Sequence, residues 1–183
     1  LSRFPDVFLV EKEQGDADVI AGDILQVLSQ ALTDFNAMRA REGAKLADDV
    51  RAKAGTIASL VTQVEQRSPE TVAAYREKLR QRMEEVLENT QIDESRILTE
   101  AALFADKVAV DEETVRLRSH VAQLRTMLES DEPMGRKMDF LIQEVNRESN
   151  TIGSKCCDVA IAQVVVGLKA EVEKMREQVQ NVE

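Results

Sequence analysis

The chain of 183 residues has no tryptophan, one tyrosine and five phenylalanines, so aromatics make up 3% of it. A sheet-rich core without its usual aromatic packing is a poor expectation. Proline and glycine are equally scarce, three and seven, which leaves little turn chemistry for a protein of many short strands. No apolar run approaches the roughly 20 residues of a membrane-spanning helix. The opening "LSRFPDVFLV" lacks a basic segment followed by a long apolar core, so it does not read as a secretory signal. It also lacks an initiator methionine, and the expectation is a processed chain or a piece of a longer one. The two cysteines, Cys156 and Cys157, are adjacent and have no third to pair with. A reduced, cytoplasmic setting fits that usage, and the pair reads as two small helix side chains or as a redox or metal site. There is one histidine, no Gly-x-Ser-x-Gly elbow and no phosphate-binding glycine loop. Zinc is poorly supported. The net charge of −10 argues at face value against a nucleic-acid partner, although a local basic groove on an acidic protein escapes that argument.

What the chain does have is charge, 32% of it, and helical periodicity. Ile24, Leu28, Ala31, Phe35 and Met38, then Leu46, Val50, Ile57, Leu60 and Val64, fall on one near-heptad seam. "RSPE" supplies a break and restart, with Ser68 as N-cap and Pro69 at the first helical position. A return helix carrying Val72, Tyr75, Leu79, Met83 and Val86 would then close an antiparallel hairpin. Asp93 can cap a further helix, and acids from Asp111 onward start another. Ile161, Val165, Leu168, Val172, Met175, Val179 and Val182 step by four and three to the end of the chain. The expectation is an all-α protein: an irregular lead-in over 1–15, a long helical hairpin over 16–92, and a C-terminal helical domain over 93–183 with coiled-coil-like seams. Such seams predict an oligomer or a long hairpin.

Chemistry concentrates in "GRKMDFLIQEVNRESNTIGSK", residues 135–155. Met138, Leu141, Ile142 and Val145 make its apolar stripe. Arg136, Gln143, Arg147, Asn150 and Ser154 lie away from it. Glu144 and Glu148 are four apart, so their carboxylates share a face one turn from each other. Two such groups suit a divalent cation; alternatively, Arg147 and Lys155 neutralise them on a solvated helix surface. His120 sits one turn after Arg116 in "RLRSH". An imidazole titrates near neutrality and suits proton transfer, though a lone histidine beside Val121 also reads as a packed or solvated helix residue.

Three stretches resemble one family in order: "MRAREGAKLADDV" (38–50), "EAALFADKVAVDEETVRLRSHVAQLRTML" (100–128), and the 135–155 segment together with "LKAEVEKMREQVQNVE". The family is YicC/YloC, bacterial proteins described as endoribonucleases. Cys156 and Cys157 depart from its usual small or polar residues, and no role is carried onto them. The resemblance implies a missing N-terminal domain and a homo-oligomer, expected to be a hexamer, whose helices form a ring or clamshell around RNA. Arg116, Arg118, Arg136, Lys137, Arg147 and Lys155 would line its inner surface and resolve the charge objection. Gln143, Asn146 and Asn150 can hydrogen-bond base edges or 2′-hydroxyls, and Arg147 can fork onto phosphate. RNA cleavage needs proton transfer and charge stabilisation at phosphorus. His120 is the candidate for the first, Arg116 and Arg147 for the second, and Glu144 and Glu148 would hold Mg²⁺ or Mn²⁺. A non-catalytic RNA-binding or RNase-modulating helical oligomer is the alternative, and a purely structural oligomer a third.

Overall fold

In a computed structural model, residues 16–87, 93–130, 132 and 134–180 are described. Five helices account for nearly all of them: α1 (Ala17–Leu87), α2 (Glu94–Val108), α3 (Asp111–Met127), α4 (Gly135–Lys155) and α5 (Val159–Val179). No strand occurs among the described residues, so the protein is all-α. No helix among them is long and apolar enough to cross a membrane. The lead-in over 1–15, the Val86 side chain and Val182 lie outside the described residues.

The hairpin expected over 16–92 does not form. α1 is one helix of 71 residues with Pro69 inside it. Ser68 and Pro69 carry the local signals of a helix start, and an interior proline costs about 3 kcal/mol of helix propensity. Tertiary contacts on both sides of it override that preference. Val64 is fully buried one turn before Pro69 and Thr71 is buried after it. Tyr75 then stacks on Phe104 of α2, ring centroids 3.8 Å apart and nearly parallel. Arg67 holds Glu70 on its own helix and Asp158 at the start of α5.

The chain divides into two compact units at Ala44/Lys45. In the first unit the apolar positions of α1, among them Ile24, Leu28, Leu32 and Phe35, are exposed. In the second unit, the seam continued by Val50, Ala54, Ile57, Val61 and Val64 is buried. It joins Leu117, Val121 and Leu124 of α3, the stripe of α4 and the full run Ile161–Val179 of α5 in one core. The α5 residues are those that the four-three stepping selects, every described one of them buried.

Contacts fix how these helices run. Arg118 of α3 meets Glu65 and Thr62 of α1. Lys155 and Glu148 of α4 meet Glu113 and Arg116 of α3. A Cβ at Gly153 of α4 would come within 3.2 Å of Val165 on α5, so a larger side chain at that crossing would require Val165 to give by a few tenths of an ångström. Gly167 of α5 faces Leu60 of α1. Each neighbour therefore runs antiparallel to the next, and the second half of α1 closes a four-helix bundle with α3, α4 and α5. Two aspartates set helix starts. Asp93 accepts from the Ser95 N–H and caps α2, as its position suggests. Asp158 accepts from the Ile161 N–H and caps α5. That N–H, with Arg67 beside it, holds the Asp158 carboxyl below the usual carboxylate range.

Candidate functional site

The α3–α4 seam carries the polar residues of interest because two helical repeats meet across it. On α3, Glu113, Arg116 and His120 follow at intervals of three and four, so they share a face. On α4, Glu144, Glu148 and Lys155 do the same at four and seven. The antiparallel register set by Leu117, Val121 and Leu124 against Met138, Leu141 and Val145 brings the two rows together. As a result one ligand atom each from His120, Glu144 and Glu148 lies within 4.8 Å of the others.

Burial distinguishes this cluster from a solvated helix face. Glu148 is 4% exposed, which overturns the reading of its carboxylate as a surface charge. A carboxylate that deep is costly without compensation, yet among the described residues its ion pair is a long one, 3.4 Å to Nη1 of Arg116. Glu144 is similarly under-partnered, with Nη1 of Arg147 at 3.6 Å. The Nδ1 of His120 is buried with no hydrogen-bond partner. A buried ring nitrogen without a partner is uncommon in a settled core. Two carboxylates and one imidazole offering free lone pairs are a donor set for a divalent cation, and the mixture of oxygen with one imidazole nitrogen moves its preference from Mg²⁺ toward Mn²⁺.

The other end of the seam is built differently. Glu113 is buried and accepts from Nζ of Lys155 at 2.8 Å. Burial pushes its carboxyl up, but the Lys155 hydrogen bond, a helix N–H and the nearby positive charges of Lys155 and Arg116 outweigh this and leave it below the usual range. Lys155, expected to contact RNA, is thus committed within the bundle. The sequence reading passed over Glu113 as a pairing residue. The available signal was its distance of one heptad from His120, which puts both on one face.

The remaining candidates scatter. Arg118 points to α1, where Glu65 and Thr62 hold it, and it takes no part in the cluster. Gln143 donates to Asp139 on its own helix. Asn146, Arg147 and Asn150 line an open groove of about 520 Å³ along α4 with Gln143, Thr151 and Ser154. Arg136 and Lys137 are exposed in the first turn of α4. The thiol of Cys156 donates to the Gly153 carbonyl and is pushed up by burial first, then by the charge of Cys157 and Asp158. Both cysteines are free.

Fold and cluster together define a class: a helical-bundle protein with a histidine and two carboxylates converging on one seam, the donor types of metal-assisted hydrolases. The comparisons with known proteins place the chain in a family. The family model described as "Endoribonuclease YicC-like, C-terminal" matches residues 64–183, and "Endoribonuclease YicC-like, N-terminal region" matches residues 1–48. The chain belongs to the YicC-like endoribonuclease family. It is 42% identical over 184 residues to a probable endoribonuclease YicC of Clostridioides difficile, covering 100% of this chain and 63% of that protein. A probable endoribonuclease YicC of Haemophilus influenzae is 41% identical over 181 residues, covering 99% and 62%. The chain therefore spans less than two thirds of the length of these relatives. The match over residues 1–48 overturns the expectation that the N-terminal domain is missing.

Proposed function

We propose that the chain acts as an endoribonuclease, cleaving single-stranded or structured RNA with a divalent cation, Mn²⁺ or Mg²⁺, held by His120, Glu144 and Glu148. The observation that carries the proposal is the convergence of these three under-partnered donors, in a chain whose relatives are named probable endoribonucleases. Bound there, the cation would supply charge stabilisation for a phosphodiester and an activated oxygen nucleophile.

The residues would divide the remaining work. Glu144 and Glu148 fix the position of the charge. Arg116 and Arg147, 53% and 73% exposed at the rim, reach toward phosphate oxygens. Asn146 and Asn150 in the α4 groove offer hydrogen bonds to a base edge or a 2′-hydroxyl. For His120 we favour the role of third ligand over that of proton carrier, because its unpartnered nitrogen is buried. A second reading retains it as the general base through whichever ring nitrogen faces solvent. Loss of Mn²⁺ affinity in His120→Ala supports the ligand role, and an altered pH–rate profile with unchanged affinity supports the base.

We propose a homo-oligomer, a hexamer by family resemblance, on the strength of the exposed apolar positions of the first unit. Light scattering at micromolar concentration should then give a mass well above 20.5 kDa. The deciding experiment incubates a labelled structured RNA with the protein, with and without a chelator, beside Glu144→Gln. Chelator-sensitive cleavage that Glu144→Gln loses supports the site. RNA binding without cleavage would replace it by the non-catalytic RNA-binding or RNase-modulating oligomer.

A further inference from the structure

Each carboxylate of the cluster has one arginine, and the two arginines are alike in ways that the Glu113–Lys155 pair on the same seam is not. Arg116 lies 3.4 Å from Glu148 and Arg147 lies 3.6 Å from Glu144, against 2.8 Å for the buried Glu113–Lys155 pair on the same seam. Both arginine side chains are more than half exposed while the carboxylates they approach are 5% and 25% exposed. Each guanidinium therefore stands at the mouth, with the carboxylate behind it. Arg116 also has an alternative hold: its Nη2 is 2.8 Å from Glu112, which is 79% exposed and lies outside the cluster. Arg147 has open water and the α4 groove beside it.

We propose that Arg116 and Arg147 are exchangeable counter-charges that couple cation binding to phosphate binding. Without a cation they balance Glu148 and Glu144, which could not stay so close to each other and so deep with nothing positive nearby. A cation that takes over both carboxylates releases both guanidinium groups to the rim. There they meet the ligand that suits a planar, five-donor fork, a phosphodiester. The rule of linkage makes the effect reciprocal: phosphate that draws the arginines outward frees the carboxylates for the cation. The proposal rests on the cation-site reading above and adds to it an order of preference, with each ligand preparing the site for the other.

The test uses the full chain, Mn²⁺ and an uncleavable 2′-O-methyl oligoribonucleotide. Free Mn²⁺ is read by electron paramagnetic resonance and the oligonucleotide by fluorescence anisotropy. In the unmodified protein, saturating Mn²⁺ should tighten oligonucleotide binding about tenfold, and the oligonucleotide should tighten Mn²⁺ equally. The double variant Arg116→Gln, Arg147→Gln should bind Mn²⁺ alone several-fold more tightly, bind the oligonucleotide more weakly, and lose most of the reciprocal effect. The tightening for Mn²⁺ should persist in about 0.5 M KCl, where charge effects beyond contact are screened. Both side chains are exposed, so the variant should fold, which its helical circular dichroism and melting point check.

Mn²⁺ affinity unchanged or weakened in the double variant, while Glu148→Gln abolishes binding, would overturn the exchange and leave the cation site standing. Coupling undiminished in the double variant would do the same. No Mn²⁺ binding by the unmodified protein, even with oligonucleotide present, would overturn both.

Discussion

The two ends of the α3–α4 seam hold the same ingredients, a buried glutamate from one helix and a cation from the other, yet they are assembled to opposite purposes. Glu113 and Lys155 are in tight contact, and the carboxyl is held ionised below its usual range. Glu148 is as deeply buried, but its arginine stands farther off, is mostly in water and is shared with Glu112. The first pair works as a clasp between helices through one carboxylate oxygen, while Oε2 of Glu113 is buried without a hydrogen-bond partner. The second leaves a carboxylate with unused acceptor capacity beside another carboxylate and an unpartnered imidazole. Burial alone therefore says little about function on this seam; what separates the ends is how closely a cation approaches each carboxylate and what other donor groups stand beside it.

That contrast breaks first on activity. Glu148→Gln should lower RNA cleavage by at least ~100-fold, the scale of losing several kcal/mol of transition-state stabilisation, while its melting point stays close to that of the unmodified protein. Normal cleavage by Glu148→Gln would place the chemistry elsewhere. Lys155→Met should give the reverse pattern. It strands the Glu113 charge, and urea denaturation should show a loss of about 2 kcal/mol, less than a fully buried pair would lose because Lys155 keeps a third of its side chain in water.

Acid should sharpen the same distinction. Because the Glu113 carboxyl is depressed in the folded state, its contribution to stability is fully present above the ordinary carboxylate range and is lost as pH falls through the lower folded value. Denaturation midpoints followed from about pH 5 to pH 3 should fall more steeply for the unmodified protein than for Glu113→Gln. Equal slopes would mean that the clasp contributes nothing. The smallest expected effect belongs to the rim. Arg147→Glu should weaken oligonucleotide binding several-fold at low salt and flatten its salt dependence by about one charge, and an unchanged salt slope would put the groove on another face.

Much of the fold was legible. The four-three stepping from Ile161 named the buried face of α5, and the stripe Met138–Val145 named that of α4, because a helix has one apolar side and the bundle covers it. Ser68–Pro69 misled for a physical reason: a serine before a proline offers the same local chemistry at a helix start and inside a helix held by its neighbours. The heptads of α1 were read as one seam, although periodicity tells which side wants cover and not what covers it. Val50–Val64 are buried in the bundle, whereas Ile24–Met38 are exposed in the single chain.

The site divides in the same way. His120, Glu144 and Glu148 could be picked out by their chemistry and their spacing within each helix. Their meeting could not, because it depends on the register between α3 and α4, which the core side chains decide. For the same reason the pairing of Arg118 with Glu65 and of Lys155 with Glu113, 53 and 42 residues away in sequence, could not be read from either helix alone.

The stack of Tyr75 on Phe104 gives the molecule an optical property. The chain has no tryptophan and a single tyrosine, so Tyr75 dominates its near-ultraviolet signal. That ring sits where α1, past its proline, meets α2. Tyrosine emission and near-ultraviolet dichroism therefore report on one joint and are nearly blind to the bundle core, which only the far-ultraviolet helix signal follows. A melt recorded at both wavelengths would separate loosening of the joint from collapse of the bundle without any label being attached.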